Sequence, residues 1–507
     1  MMKRIAAILC VLAAIMGGIT GCGKTQKAIT GFADLERAQI GVMTGSTGEQ
    51  LAQQKFPDAD IKSFDEIMDA VMALQSNQID AVVTAYPTVI HVSKNNPDLW
   101  FLPEPLANEK TAIAIRKGND ELLIQVNEIL TELENDGTLA DMRRRWFKME
   151  ATPYEEVEIT LPKSGKPIKV GVNAAREPFS FVDKDQRVTG HDGELAYRIA
   201  AKMNRPLEFN DMTFSALLPA LQSGKIDMII TGMTATDERR EKVDFSRSYF
   251  DNAQMILVKK AGSAQSNQKT GGSAAIKGIA DSFYNNIILE NRYLLILDGL
   301  KTTMVISLFS VLFGTLLGGI ICFLKMCRYK VLNAAAGAYI SVLRGTPVLV
   351  ILMLIFYVVF ASVDISPILV AVITFGMNFA AYISEVYHIG ITGVDRGQAE
   401  GGIAMGFTKA QTFFYIVLPQ AVRQILPLYK GEIISLIKMT SIVGYIAVQD
   451  LTKAGDIIRS RTFDAFFPLI MVAILYFVIS GILMQVAGYI EHKLDPKTMK
   501  RRVKKAQ

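Results

Sequence analysis

The spacing of apolar residues changes once along this chain. Up to about residue 280, short β-rich runs alternate with segments of helical spacing, the pattern of an α/β protein; beyond it, long apolar runs dominate. Two of the early passages repeat. SFDEIMDAVMALQSNQIDAVVTAYP, from Ser63, and TFSALLPALQSGKIDMIITGMTA, from Thr213, each predict a helix, a turn and a strand. The turns run Gln75-Ser76 to Ile79-Asp80 and Gln222-Ser223 to Ile226-Asp227. Two similar α/β units, each of single-lobe size, are therefore expected. A third passage, KPIKVGVNAAREPFSFVDKDQRVTGHDGELAYRIA from Lys166, predicts a strand, a loop, a hairpin and a helix.

After a stretch rich in Gly, Ser, Ala and Gln within 261–285, five apolar runs are long enough, alone or with their flanks, to cross a bilayer as helices. They are 304–324, 348–361, 368–389, 433–448 and 466–490, the second and fourth being short or interrupted. An odd number of crossings agrees with the charges. The loop Lys325-Met326-Cys327-Arg328-Tyr329-Lys330 and the tail 493–507, with Lys497, Lys500, Arg501, Arg502, Lys504 and Lys505, are both basic. Both fall inside if the first run begins outside.

The opening MMKRIAAILCVLAAIMGGITGCGKT carries Lys3 and Arg4, then an apolar run, then small residues, the pattern of an export signal over 1–22. Ile19-Thr20-Gly21-Cys22 resembles a bacterial lipobox, which implies cleavage before Cys22 and a lipid on its thiol; an uncleaved signal anchor is the alternative. The four cysteines, Cys10, Cys22, Cys322 and Cys327, avoid the α/β part, which excludes a disulfide framework or CxxC metal site there. The four histidines lack ligand spacing, so no metal site is expected. A formal charge of +5 over 507 residues does not point to nucleic acid. No Gly-x4-Gly-Lys-Ser/Thr loop occurs, so ATP is not bound in the P-loop manner.

In the membrane half, Glu400-Gly401-Gly402 followed by Gly406 resembles the EAA-x3-G loop of ATP-binding-cassette import permeases, and Val417-Leu418-Pro419-Gln420-Ala421 resembles its continuation. Leu343-Arg344-Gly345-Thr346-Pro347 and Asp298-Gly299-Leu300-Lys301-Thr302-Thr303 look like the polar-amino-acid subfamily. The resemblance covers a permease domain at 286–492. It implies that this loop docks into a separate ATPase subunit through Glu400 and Gly406, that ATP is hydrolysed there, that this chain binds no cofactor, and that two permease chains pair, here as a homodimer. One departure is EGG for EAA, which puts glycines where alanines favour helix. Glu385 and Lys438, ionisable within apolar runs, are candidates for function, although Glu385 is expected to brace neighbouring helices.

The exported half resembles solute-binding proteins for polar amino acids, which implies a bilobed α/β fold of the type II periplasmic class. The order of its parts is unusual. AQIGVMTGSTGEQ and the residues up to 149 resemble that family's second lobe and closing segment, whereas 167–260 resembles its first lobe. One domain, circularly permuted and rejoined through the linker 150–166, is expected; permutation is tolerated where natural ends lie close together.

Thr231-Gly232-Met233-Thr234-Ala235-Thr236-Asp237-Glu238-Arg239 resembles the family's carboxylate clamp. Arg239 is assigned to a ligand carboxylate, whose two oxygens match the parallel donors of a guanidinium, with Thr234 and Gly232 assisting and Arg240 on a solvated face. Gly45 and Thr47 precede a helix, where free N–H groups attract an anion. Phe214 matches an aromatic cover for the ligand. Asn173 and Arg176 stand at positions of a polar contact and a stacking aromatic. Where the family has an aspartate for the ligand ammonium, this chain has Ala85. That contact is left to Thr84, Asn173 or Glu177, or the ligand is not an ordinary α-amino acid.

These readings make the chain a multi-pass subunit of a bacterial inner membrane importer for a small polar amino acid. The binding domain is expected outside and the C-terminus inside. A ligand-gated receptor or channel built on the same bilobed domain is the alternative; a docking loop for an ATPase separates the two. An enzyme of this fold needs a catalytic acid or base, for which only Glu177 offers itself.

Overall fold

The computed structural model describes residues 29–147, 157–260, 280–361, 363–462, 464 and 467–494. The expected export signal with Cys22, and much of the linkers at 150–166 and 261–285 and of the basic tail, lie outside the described residues.

Two lobes share one nine-stranded sheet. Lobe A is built on β1 (Gln39–Met43), β2 (Asp60–Phe64), β3 (Ala81–Ala85) and the short β4 (Leu99–Phe101). Then β5 (Ala107–Arg116) crosses to lobe B, which carries β6 (Ile168–Val172), the small hairpin sheet β7 (Ala175–Arg176), β8 (Ser180–Val182) and β9 (Val188–Thr189), then β10 (Leu207–Asp211) and β11 (Met228–Ile229). The long β12 (Val243–Lys259) crosses back. The order is β10-β6-β11-β5-β12-β3-β1-β2, with β4 on β12. Within each lobe the outer strands are parallel and the crossing strand is antiparallel to them. The two crossing strands pair with each other over most of their length, broken by register shifts at Ser248. Such irregularities bend a strand pair locally, and here they fall in the stretch that joins the lobes.

The repeated passages do the same work in each lobe. Asp80 Oδ2 accepts from Gln39 N at 2.8 Å, and Asp227 Oδ2 accepts from Lys169 N at 2.9 Å. Ile79 and Ile226 lie over Gly41 and Gly171, where a Cβ would come within 2.5 Å and 2.4 Å of an isoleucine Cδ1. A side chain at either glycine would have to displace that isoleucine. The helices α1 (Thr47–Lys55), α2 (Ile67–Gln75) and α3 (Tyr86–Asn95) belong to lobe A; α4 (Asp120–Asn135) and α5 (Thr138–Trp146) return onto lobe B, beside α6 (His191–Lys202), α7 (Phe214–Gln222) and α8 (Asp237–Lys242). The return is anchored by a buried cluster: Arg145 reaches both oxygens of Glu194 at 2.7 and 2.9 Å, and Trp146 Nε1 donates to Glu194 Oε2 at 2.7 Å.

The second half is helical. Among the described residues three helices are long and apolar enough to cross a membrane: α9 (Tyr293–Met326), α12 (Pro367–Thr392) and α17 (Phe467–Leu494). Two bent pairs raise the number to as many as five. One joins α10 (Lys330–Gly345) to α11 (Val348–Leu354) and its continuation to Val359, with a 107° bend. Thr346 is extended there, the conformation favoured before a proline, and this ends α10. The second apolar run of the sequence is thus one arm of a longer broken element. The other pair starts at α14 (Lys409–Thr412), continues through α15 (Leu418–Met439), and bends by 57° into α16 (Leu451–Thr462). The helix of the fourth run therefore starts well before residue 433. Pro419 follows directly on the π-helical turn Phe413–Val417, and Pro427 lies inside the same helix.

Helices α9 and α12 pack most closely. A Cβ on Gly314 would lie 2.6 Å from Gly376 O, and one on Gly376 would lie 2.4 Å from Phe313 Cδ1. Small residues let membrane helices approach in this way. Lys325 of α9 and Glu385 of α12 form an ion pair, Nζ to Oε1 2.5 Å, in the bracing role expected of Glu385. Lys438 is exposed and forms no ion pair among the described residues.

Candidate functional site

The cleft between the lobes gathers most of the expected ligand residues. Arg239 sits in α8, whose Thr236 cap accepts from Arg239 N at 3.3 Å. From there its guanidinium spans the cleft. Nη1 donates to Thr234 O and Nη2 to Gly45 O of lobe A, both at 2.8 Å. Gln50 Nε2 donates to Glu238 Oε2 at 2.9 Å, a second bond across the opening. Gly45 has φ +74°, and its N–H donates to Glu49 Oε2 at 2.7 Å, so the loop before α1 turns its carbonyl to Arg239.

Phe214, 6 % exposed, lies beneath two guanidinium groups: Arg239 Cζ is 5.6 Å and Arg176 Cζ 5.5 Å from its ring centre. Arg176 also faces Phe179 at 5.3 Å and donates to Thr231 O at 2.5 Å. Cation–π contacts of this kind strengthen when water is excluded. Burial pushes both arginine pKa values down, with Glu109 among the acidic groups opposing it. Gly232, at φ +62°, donates to Tyr249 Oη at 3.2 Å, and Tyr249 Oη donates to the buried Asp192 at 3.1 Å. Burial, then Asp192, holds that phenol protonated well above its ordinary range.

Three expected residues are placed differently. Asn173 points to the far end of the cleft, where Nδ2 donates to Glu66 Oε2 of lobe A at 3.0 Å. Thr84 is buried in β3 and is not hydrogen-bonded to the cluster. Glu177 lies 3.7 Å from His91, away from Arg239.

Beside Ala85, two residues stand that the sequence reading did not single out. Gln254 pairs with Ala85 across β12 and β3, and its Nε2 donates to Thr47 Oγ1 at 3.2 Å and to Glu109 Oε2 at 3.0 Å. Thr234 Oγ1 donates to the same Glu109 oxygen at 2.7 Å. Gln254 Oε1 is buried without a partner. A carboxylate and an orphaned acceptor thus lie close to Ala85. No local pattern announces Glu109, since its partner Thr234 lies 125 residues away.

At the opposite end of the molecule α13 (Arg396–Ala404) carries the EGG segment. Glu400 is exposed, and Ile403, Met405, Phe407, Phe414 and Tyr415 expose large apolar area around it. Gly402 is buried: a Cβ would meet Ile416 at 2.7 Å and Thr412 at 2.8 Å. Gly401 has open space, and Gly406 turns the chain at φ +90° ahead of a Thr408–Gln411 capping box. Among the described residues no group of His, Cys, Asp and Glu is arranged to hold a metal ion.

A bilobed type II binding fold that leads into several apolar helices defines a solute-binding domain fused to a membrane domain. Residues 47–149 and 168–432 match the bacterial extracellular solute-binding proteins, family 3, and the chain belongs to that family. Its similarity to permeases is as plain. It is 32% identical over 205 residues to a putative glutamine transport system permease protein of Rickettsia felis, covering 40% of this chain and 94% of that one. It is 34% identical over 212 residues to an L-cystine transport system permease protein of Bacillus subtilis, covering 41% and 91%. A crystal structure of an amino acid ABC transporter with histidines matches at 31% identity and a TM-score of 0.37, over 45% of this chain and 100% of that one. The chain is a membrane subunit of an importer, with its binding domain and its permease in one polypeptide.

Proposed function

We propose that the chain captures a polar α-amino acid outside the cell and passes it through the membrane, driven by ATP hydrolysis in a separate subunit docked on α13 around Glu400. The observation that carries this reading is Arg239, which reaches across the cleft from Thr234 to Gly45 with Glu109 nearby. The ligand carboxylate takes the guanidinium fork, helped by Thr234, Gly232 and the N–H groups at Thr47. Its ammonium goes to Glu109 and Gln254 Oε1, in place of the missing aspartate. Its side chain lies over Phe214, towards Arg176 and Asn173.

The strand order, with both crossing strands filling the opposite lobe, supports a single permuted domain. Lobe contacts with Val363 and Asp364, with Tyr445 and with α16 support a common, extracytoplasmic side for these elements. Helix α12, about 39 Å long from its 26 residues, separates that side from α13. Two permease chains pair around the pathway, the C-terminus lies inside, and a lipid on Cys22 tethers lobe A.

Calorimetric titration of the full chain in detergent against each of the twenty common amino acids tests the reading. A few polar ones should bind to the wild type and lose affinity with Arg239→Ala. Binding of none of them would refute it.

A further inference from the structure

The membrane half places one cation between the two lobes. Lys453, near the start of α16, is buried, and its Nζ lies 3.3 Å from Glu66 of lobe A and 3.7 Å from Asp211 of lobe B. The carboxylates are themselves tied to lobe B: Asn173 Nδ2 donates to Glu66 at 3.0 Å, and Ala174 N donates to Asp211 at 2.8 Å. Helix α16 extends this contact. Arg459 pairs with Asp69 of lobe A at 2.8 Å, and α16 also packs on β7 and β8 of lobe B. One ammonium reaches both carboxylates only while the lobes are closed. Without it, closure would bring the buried Glu66 and the partly buried Asp211 together unneutralised, and this is costly where the dielectric is low.

The same helix is fastened to the membrane spans. Leu451 N donates to Thr303 Oγ1 of α9 at 3.2 Å, and Asp450, whose Oδ1 accepts from Lys453 N at 3.0 Å, accepts from Tyr476 of α17 at 3.1 Å. A Cβ on Gly299 of α9 would lie 2.6 Å from Asp450 O, so the first span and this turn are in contact. A shift of Lys453 therefore reaches α9 and α17 through a few bonded groups.

From this geometry we infer that α16 is the surface by which the permease senses lobe closure, with Lys453 seated between Glu66 and Asp211 as the contact that depends on both lobes. The inference rests on the binding function proposed above. Because coupling is reciprocal, closed lobes order α16, and a docked α16 favours closed lobes.

Hydrogen exchange of the full chain in lipid nanodiscs, with and without a saturating equimolar mixture of the twenty common amino acids, tests this. In the wild type the mixture should slow exchange at 231–239 and, by about tenfold, at 451–462, a change within the usual range of coupling energies. In Lys453→Met the cleft should still respond while 451–462 no longer does; Lys453→Arg should keep both responses. Should Lys453→Met fail to fold, Asp69→Asn, which removes the charge that Arg459 meets on lobe A and leaves the pair of Arg459 with Asp456 within α16, should reduce the response of α16 and spare that of the cleft. An α16 that responds equally in wild type and Lys453→Met, or stays silent in the wild type while the cleft responds, would overturn the inference. A silent cleft would overturn the binding function and this inference with it.

Discussion

Replacing Glu109 with glutamine isolates the contact proposed for the ligand ammonium. The change keeps size and shape and still offers an oxygen to Thr234 Oγ1, now 2.7 Å from the carboxylate. It removes the negative charge near Ala85. A hydrogen bond to a charged group contributes about 1.5–3 kcal/mol net, and Glu109 is only half-buried, so the lower part of that range applies. Affinity for an α-amino acid should fall about 10- to 30-fold, at about 1.4 kcal/mol per factor of ten. The melting temperature without ligand should hardly move. Titration calorimetry of wild type and Glu109→Gln, with melting curves as the control for folding, reads both. A companion change sharpens the test. Ala85 is the cap residue of α3 and offers that helix no side-chain acceptor, so aspartate is compatible with the backbone there. Ala85→Asp on the Glu109→Gln background should recover part of the affinity. Affinity within about twofold of wild type in Glu109→Gln, with folding intact, would refute Glu109 as the ammonium acceptor, since a lost charged contact exceeds that.

Two further outcomes follow from the geometry. Burial pushes the Glu194 carboxyl up, but Arg145, Trp146 and Arg198 outweigh it and hold its pKa below the ordinary value of 4.5. Its stabilisation is therefore present above that value and lost as pH falls through the depressed one; Glu194→Gln should cost about 3 kcal/mol at neutral pH in denaturant melts, less at acid pH, by leaving buried Arg145 without its main partner. In α13, Gly401→Ala should raise stability by about 0.5–1 kcal/mol because the position is helical and open. Gly402→Ala should lower it, since the methyl meets Ile416 and Thr412, and thermal melts of the two variants should move in opposite directions.

Much of this was legible because it is local. The Ile-Asp pairs at 79–80 and 226–227 recur since each aspartate caps the same first-strand amide in its own lobe. The apolar runs were visible by length. What stayed hidden depends on distant partners. Glu109 acquires its place only when β5 and β12 pair, and Lys453 meets Glu66 from 387 positions away. The broken spans were read short because apolarity alone does not mark a helix whose earlier arm, at Lys330–Gly345 or Lys409–Thr412, is polar enough to pass for a loop. The glycines of EGG, a departure from the expected alanines, are explained at Gly402 by its packing; nothing in the structure explains Gly401.

The central claim is that capture by this cleft feeds transport. Uptake of radiolabelled amino acids into inverted-free, right-side-out vesicles from cells that express the chain with its ATPase measures it directly. The account predicts ATP-dependent uptake of the amino acids that bind the full chain, abolished by Arg239→Ala while the protein remains in the membrane. Uptake unchanged by Arg239→Ala would contradict it.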